Sequence, residues 1–321
     1  MRAMVMTDFG GPDVFVLQDF PEPLIGPGDL LIRVHAAAIN PVDCKTRLAP
    51  RWGDRKPPMI LGFDASGVVE QVGDAVEGFA VGDAVYCSPA LVREGSYAEL
   101  VAVDARTVAH KPASLSHEEA AALPLAVITA WEALHGHAKM QAGERVLIHA
   151  GAGGVGHFAI QLAKEAGCTV VTTAGRPETL ALCQALGADE VVDYKTQDVV
   201  EAAGACDVVF DCVGGEVFNQ SIDCLGVNGR LVTIVPGVPG DQINKLFGKN
   251  GSLHFEFMGS AMMNNSHPEK QGQILAEVAQ LADAGKLKPH IFETYALDEI
   301  PEAHRQQETQ RTLGKLVVKI V

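Results

Sequence analysis

Apolar and polar positions alternate in two different ways along this chain, and the change falls near Leu123. Before it, short apolar or β-branched runs stand at 14–18, 30–36, 67–72, 84–87 and 97–103. Turn clusters such as Gly26-Pro27-Gly28-Asp29 and Val81-Gly82-Asp83 separate them, which predicts many short strands, few helices and a compact, barrel-like domain. After Leu123, strand-like runs at 145–150, 169–173, 190–192, 207–211, 230–235 and 253–257 alternate with helical periodicity. The helices are expected from Gly154, at 177–186, at 216–225 and at 271–284. Strand–helix alternation at this spacing predicts a doubly wound parallel sheet. The last run, 315–321, has no place left in a six-stranded sheet of that kind, so it is expected to return to the first domain. No internal repeat or low-complexity tract interrupts the pattern.

The chain is organised around GERVLIHAGAGGVGHFAIQLAK, residues 143–164. A buried parallel strand is expected at Arg145 to Ala150. Gly151, Gly153 and Gly156 then spell G-x-G-x-x-G, and from Gly154 the residues Val155, Phe158, Ala159, Leu162 and Ala163 fall on one helical face. Strand, glycine turn and helix in this order suit a dinucleotide. The glycines permit a tight turn, close approach of backbone to pyrophosphate and close helix–strand packing. The free N–H groups and the dipole at the helix start favour the phosphate charge.

The second strand ends Thr172-Thr173-Ala174-Gly175-Arg176. An NAD site needs an Asp or Glu there for the ribose 2′-hydroxyl, whereas this chain offers a guanidinium. A carboxylate would repel a 2′-phosphate and arginine can grip it with two hydrogen bonds, so NADP(H) is the expected cofactor.

Composition narrows the partners. In 321 residues, more than one average domain, 47% hydrophobic and 20% charged content gives ample core, and the net charge is −15. An acidic surface argues against nucleic acid and anionic membranes as partners. No apolar run approaches a membrane span, and the opening MRAMVMTDFG reaches Asp8 before an apolar leader could form, so a cytoplasmic location is expected. The seven cysteines include no C-x-x-C, which predicts reduced, mostly buried thiols. His135 and His137 could ligate a metal, but a helix end with exposed histidines explains them as well.

A set of motifs resembles the quinone oxidoreductase/ζ-crystallin signature of the medium-chain dehydrogenase/reductases. It includes Gly143-Glu144-x-x-Leu147, the glycine turn with Gln161 and Lys164, Asn40-Pro41-Val42-Asp43 with Arg47, and Gly62-x-Asp64-x-x-Gly67. Gly95-x-Tyr97-Ala98-Glu99, Leu186-Gly187-Ala188-Asp189, Asp211-x-Val213-Gly214-Gly215 and Gly314-Lys315 extend it along the chain. The resemblance implies a GroES-like catalytic domain from 1–122 and 286–321, with a Rossmann domain at 123–285 inserted between. It implies Gly154 and Val155 in the cofactor turn, Tyr194 beside the 2′-phosphate, Val213 along the cofactor, and Asn40 and Thr129 at the nicotinamide end. Thr129-x-x-Glu132 also reads as a capping box. Two subunits are implied to join through the edge strand near 252–257 as a homodimer.

The same resemblance bears on metal. Zinc-dependent members carry Cys where this chain has Asn40, His where it has Phe63, and a third ligand close to Leu125; the four-cysteine lobe is missing too. No metal site is expected. Hydride transfer to a quinone or to the conjugated C=C of an enone or alkenal needs only hydrogen-bond donors for the charge that develops on oxygen. Candidates lie in the 40–47 segment, read as a loop: Asn40, Asp43 and especially Lys45, since Asn-Pro-x-Asp-x-Lys-x-Arg looks like the alkenal/enone reductases. Two alternatives stay open, an NADPH-binding structural or regulatory protein of low activity and an enoyl-thioester reductase.

Overall fold

The computed structural model describes residues 1–51, 53–237 and 242–321. The first elements are β1 (Arg2–Met6), β2 (Phe15–Asp19), β3 (Asp29–Ile39), α1 (Pro41–Leu48), β4 (Met59–Ile60) and β5 (Ala65–Val72). They are followed by β6 (Ala84–Cys87), β7 (Leu100–Asp104), β8 (Val108–His110), α2 (His117–Ala121) and α3 (Pro124–Trp131). A π-helical turn at Glu132–His137 extends α3. Strict alternation follows: β9 (Arg145–Ile148), α4 (Gly156–Glu165), β10 (Thr169–Ala174), α5 (Pro177–Ala185), β11 (Glu190–Asp193), α6 (Val199–Ala203) and β12 (Cys206–Asp211). It continues through α7 (Glu216–Cys224), β13 (Leu225–Thr233), α8 (Ile243–Gly248) and β14 (Ser252–Phe255). The chain closes with α9 (Ser260–Met263), α10 (Glu269–Asp283), β15 (Ile291–Ala296), α11 (Ile300–Glu308) and β16 (Lys315–Lys319).

Two compact units result, Met1–Ile128 with Gly259–Val321, and Thr129–Met258. In the first, β1 sits between β2 and β4 in a small sheet, and the larger sheet runs β15-β16-β3-β5-β6-β8 with β7 also on β3. The central strand β3 feeds separate parts of the core by alternation. Leu30, Ile32 and Val34 join one cluster with Val69, Val85 and Val101. After a register shift against β5, Ala37 and Ile39 join Phe63, Tyr97 and Leu316, while Ala36 and Ala38 face Ala121 and Ala122. The C-terminal run does return to this unit: β16 pairs antiparallel with β3, Val317 opposite Ala38.

Three features depart from the sequence reading. β1 forms ahead of the first expected strand, drawn in by its pairing with β2. Residues 41–48 are a helix rather than a loop, because Asn40 caps it, Pro41 occupies its first turn and Asp43 closes a capping box, all helix-start signals. The helix expected at 271–284 to close the nucleotide half lies instead in the first unit. There Tyr86 Oη donates to Leu275 O at 2.5 Å, and a Cβ on Gly272 would stand 2.4 Å from Arg106 O.

The second unit is a six-stranded parallel sheet in the order β11-β10-β9-β12-β13-β14. Its inner strands are apolar on both faces, as burial under helices on either side requires; Val146, Leu147, Ile148, Val208, Val209 and Phe210 are fully buried. All seven cysteines are unpaired, and all but Cys212 are buried. Among the described residues no helix is long and apolar enough to cross a membrane.

Candidate functional sites

The glycine turn lies where β9 ends and α4 begins. Ala150 takes a positive φ of 56°, and Gly153 N–H bonds back to its carbonyl at 2.9 Å. A Cβ on Gly156 would stand 2.3 Å from that same carbonyl oxygen, so any larger residue would push the helix start off the strand. Among the described residues, the N–H groups of Gly154, Val155 and Gly156 donate no hydrogen bond to the protein. Three converging donors at a helix start make a ready anion cradle. His157 serves the turn, its Nδ1 lying 2.9 Å from Gly153 O.

At the end of β10 the backbone passes under an aromatic ring. A Cβ on Gly175 would stand 2.4 Å from Tyr194 Cζ, so only glycine admits the ring there, and the ring itself is largely exposed. Arg176 caps α5, with its N–H on Thr179 Oγ1 at 3.0 Å. Its Nε lies 3.3 Å from Glu178, both side chains being partly open to solvent. Val213 is half exposed and gives its N–H to Asp211 Oδ1 at 2.9 Å. The structure therefore places the glycine turn at the start of α4 and Tyr194 against Gly175, the residue before Arg176. His149, unremarked in the sequence, is buried beneath this turn with Nδ1 3.3 Å from Thr173 Oγ1. Burial pushes its pKa down to about 4 against the pull of Asp211.

Thr129 is buried inside α3. The capping-box reading of Thr129-x-x-Glu132 fails, because the helix runs on through the π turn. His135 packs against Trp131 with the rings tilted and their centroids 4.4 Å apart, and His137 meets Glu256 at 2.9 Å. Among the described residues no group of three or more His, Cys, Asp or Glu side chains is placed to hold a metal ion.

The first unit holds a buried polar cluster of its own. Asn40 Nδ2 donates to Asp64 Oδ2 at 2.8 Å, and Leu125 N–H donates to Asp64 Oδ1 at 2.7 Å. Lys315 Nζ lies 3.0 Å from Asp64 Oδ2 and also donates to Asn40 Oδ1. Asp43 Oδ2 accepts from Asn40 N–H at 2.6 Å. Sequence reasoning found Asn40 and Asp43 but not Lys315, whose partners lie in distant parts of the chain. Lys45 stands on the exposed side of α1 and makes no hydrogen bond or ion pair among the described residues. Arg47, one turn on, is buried and tethers the helix: Nε reaches Gly10 O at 2.9 Å, and Nη2 pairs with Glu308.

Burial pushes the Asp43 carboxyl up to about 7, reinforced by the Asp64 charge and opposed by the Asn40 N–H and Lys315. The unfolded chain releases this proton near the ordinary value of 3.8. Between those values the folded state binds more protons, so stability falls as pH rises through the window and levels off above it. From about pH 5 to about pH 7.5 the wild type should therefore lose stability, read as its denaturation midpoint, relative to Asp43→Asn, while buried histidines such as His117 and His149, whose pKa burial pushes down to about 4, act in the opposite sense in both proteins. Glu256, pushed up to about 10 by burial and Glu132, keeps the variant's slope from vanishing. Equal slopes in both proteins would mean that Asp43 titrates as an ordinary carboxylate.

A GroES-like unit and a parallel sheet with a dinucleotide turn define a class, the medium-chain dehydrogenases and reductases. Residues 26–113 match the alcohol dehydrogenase GroES-like domain, and residues 186–318 match the family described as zinc-binding dehydrogenase. The structure of the quinone oxidoreductase from Coxiella burnetii is 36% identical, superposes with a TM-score of 0.88, and covers 100% of this chain and 99% of its own. The 2-methylene-furan-3-one reductase of Solanum lycopersicum is 35% identical over 99% of this chain and 79% of its own length. A mycobacterial protein solved with NADPH is 29% identical, with a TM-score of 0.87 and 100% coverage of both chains. The chain belongs to the quinone oxidoreductase branch of the medium-chain dehydrogenase/reductase family.

Proposed function

We propose that the protein is an NADPH-dependent reductase that works without zinc and delivers hydride to a quinone or to the conjugated C=C of an enone or alkenal. The observation that carries this reading is the chemistry at the three positions matched to zinc ligands. Phe63 and Leu125 offer hydrocarbon side chains, and the Asn40 carboxamide is engaged at both ends by Asp64 and Lys315. A divalent cation does not fit beside a buried ammonium with no thiolate or imidazole to bind it. The dinucleotide does fit: its pyrophosphate against the N–H groups of Gly154, Val155 and Gly156, its 2′-phosphate at Arg176 and Tyr194. When bound, NADPH supplies the hydride. The names of the relatives, a quinone oxidoreductase, a 2-methylene-furan-3-one reductase and an NADPH complex, support the same chemistry.

The protein's own task is to meet negative charge as it develops on the acceptor's oxygen. Asn40 keeps one Nδ2 hydrogen for it, Lys45 brings an unengaged ammonium, and Asp43 and Thr129 are the remaining candidates for orienting or proton transfer. We place the enzyme in the cytoplasm as a homodimer joined at β14.

The test is NADPH consumption over a panel of quinones, alkenals and cyclic enones, before and after dialysis against a chelator, with elemental analysis. Full activity after dialysis and no stoichiometric metal are expected. One zinc per chain, lost together with activity, would sink the zinc-free assignment. Tight NADPH binding without turnover would point to a structural or regulatory protein, and preference for thioesters to an enoyl-thioester reductase.

A further inference from the structure

The polar cluster of the first unit contains a cation that belongs to the protein. Lys315 opens β16 and its side chain is 2% exposed, against 0% for Asp64. Its ammonium contacts the Asp64 carboxylate at 3.0 Å and donates to the Asn40 oxygen, while the Asn40 nitrogen donates to the same carboxylate oxygen at 2.8 Å. A carboxamide addressed by a cation at its oxygen and an anion at its nitrogen has one orientation only, because flipping it would break both bonds and set like partners face to face. Of the three positions matched to zinc ligands, Asn40 and Leu125 both bond to Asp64, and Phe63 precedes it in the chain. Stability alone accounts poorly for the arrangement, since desolvating both charges cancels most of what a buried ion pair contributes.

We infer that Lys315 is a positioning residue for the reaction: its ammonium is an internal cation in the metal's stead, and it fixes the Asn40 carboxamide so that the remaining Nδ2 hydrogen meets the acceptor's oxygen. The inference rests on the zinc-free reading of the enzyme. It assigns Lys315 no direct contact with the acceptor, so its effect on rate passes through Asn40.

The experiment compares Lys315→Met, Asp64→Asn and the two together, each with Asn40 intact and with Asn40→Ala. Melting temperature, NADPH affinity by fluorescence titration and kcat on a quinone are measured. Removing both charges together should restore melting temperature and NADPH affinity while leaving kcat about a hundredfold low, the scale of one positioned oxyanion donor. With Asn40→Ala already in place, Lys315→Met should lower kcat by less than about twofold, because coupled residues do not add. Recovery of kcat together with melting temperature in the paired variant would make the network merely structural. A Lys315→Met effect of equal size with and without Asn40 would equally overturn the proposal. Should the methionine variants fail to fold, Lys315→Arg keeps the charge but changes its geometry, and the same comparison across Asn40→Ala decides. A wild-type enzyme that reduces none of the panel, or that needs zinc, would remove the functional reading itself before any variant is made.

Discussion

Arg176→Ala should weaken NADPH binding about ten- to a hundredfold and leave NADH binding nearly unchanged. The basis is the place of Arg176 just beyond β10, where it caps α5 and lies one residue past the glycine over which Tyr194 lies. Glu178 holds the guanidinium loosely, at 3.3 Å through Nε, with both groups in partial contact with water. Such surface pairs contribute about 1 kcal/mol or less, so a doubly charged phosphate displaces the carboxylate readily. A charge-assisted contact to phosphate is worth roughly 1.5–3 kcal/mol, which converts to about one to two decades of affinity. Titration of each nucleotide by fluorescence or calorimetry reads the effect. Equal weakening of both cofactors would place the 2′-phosphate elsewhere.

Phe255→Pro should convert a homodimer into folded monomers. β14 ends the six-stranded sheet and, among the described residues, has a neighbouring strand on one side only. Glu256 N–H donates to Thr233 O on β13, and successive N–H groups along a strand point to opposite sides, so that of Phe255 points to the open edge. Proline there removes a bond to a second subunit and none to β13. The residues around it are unusual for an edge left in water. Phe255 is 53% exposed and Phe257 42%, whereas Glu256 is only 6% exposed. Unguarded edges of this kind pair with another chain, and a two-fold contact lets the same edge serve both subunits. Lys164→Ala, which removes a surface pair with Asp189 and a bond to Cys168 O, should leave the dimer intact. Light scattering that finds a wild-type monomer at micromolar concentration would refute the assignment.

What could be read from the sequence was local. The cofactor turn was legible because β9, Gly151–Gly156 and α4 are contiguous, and the six strands because each is a short apolar run between helices. The edge strand and the returning C-terminal strand were legible for the same reason. Helix α1 was not, since Asn40-Pro41 reads equally as a turn, and only the bond that Asn40 N–H donates to the Asp43 carboxylate marks it as a helix start. Helix α10 has the right period but the wrong address, because periodicity says that a face is buried without saying against what. Lys315 was least legible of all. A lysine in a terminal strand looks like a solvent-facing charge until Asn40 and Asp64 are seen beside it.

That separation has a consequence for synthesis. Asp64 waits for a partner 251 residues further along the chain, and β3 gains β16 as its neighbour only once residues 315–319 have been made. The contiguous unit 129–258 can close before residue 315 has been made, whereas the unit of 1–128 and 259–321 cannot. Its early strands emerge with the 36–39 end of β3 still lacking β16 and an uncompensated carboxylate in what will be its core. Nascent chains in that condition expose apolar surface and unpaired strand, the substrates of holdase chaperones. Chains arrested before residue 315 should accordingly be caught by such chaperones with the nucleotide-binding half already protease-resistant, and release should follow the arrival of β16.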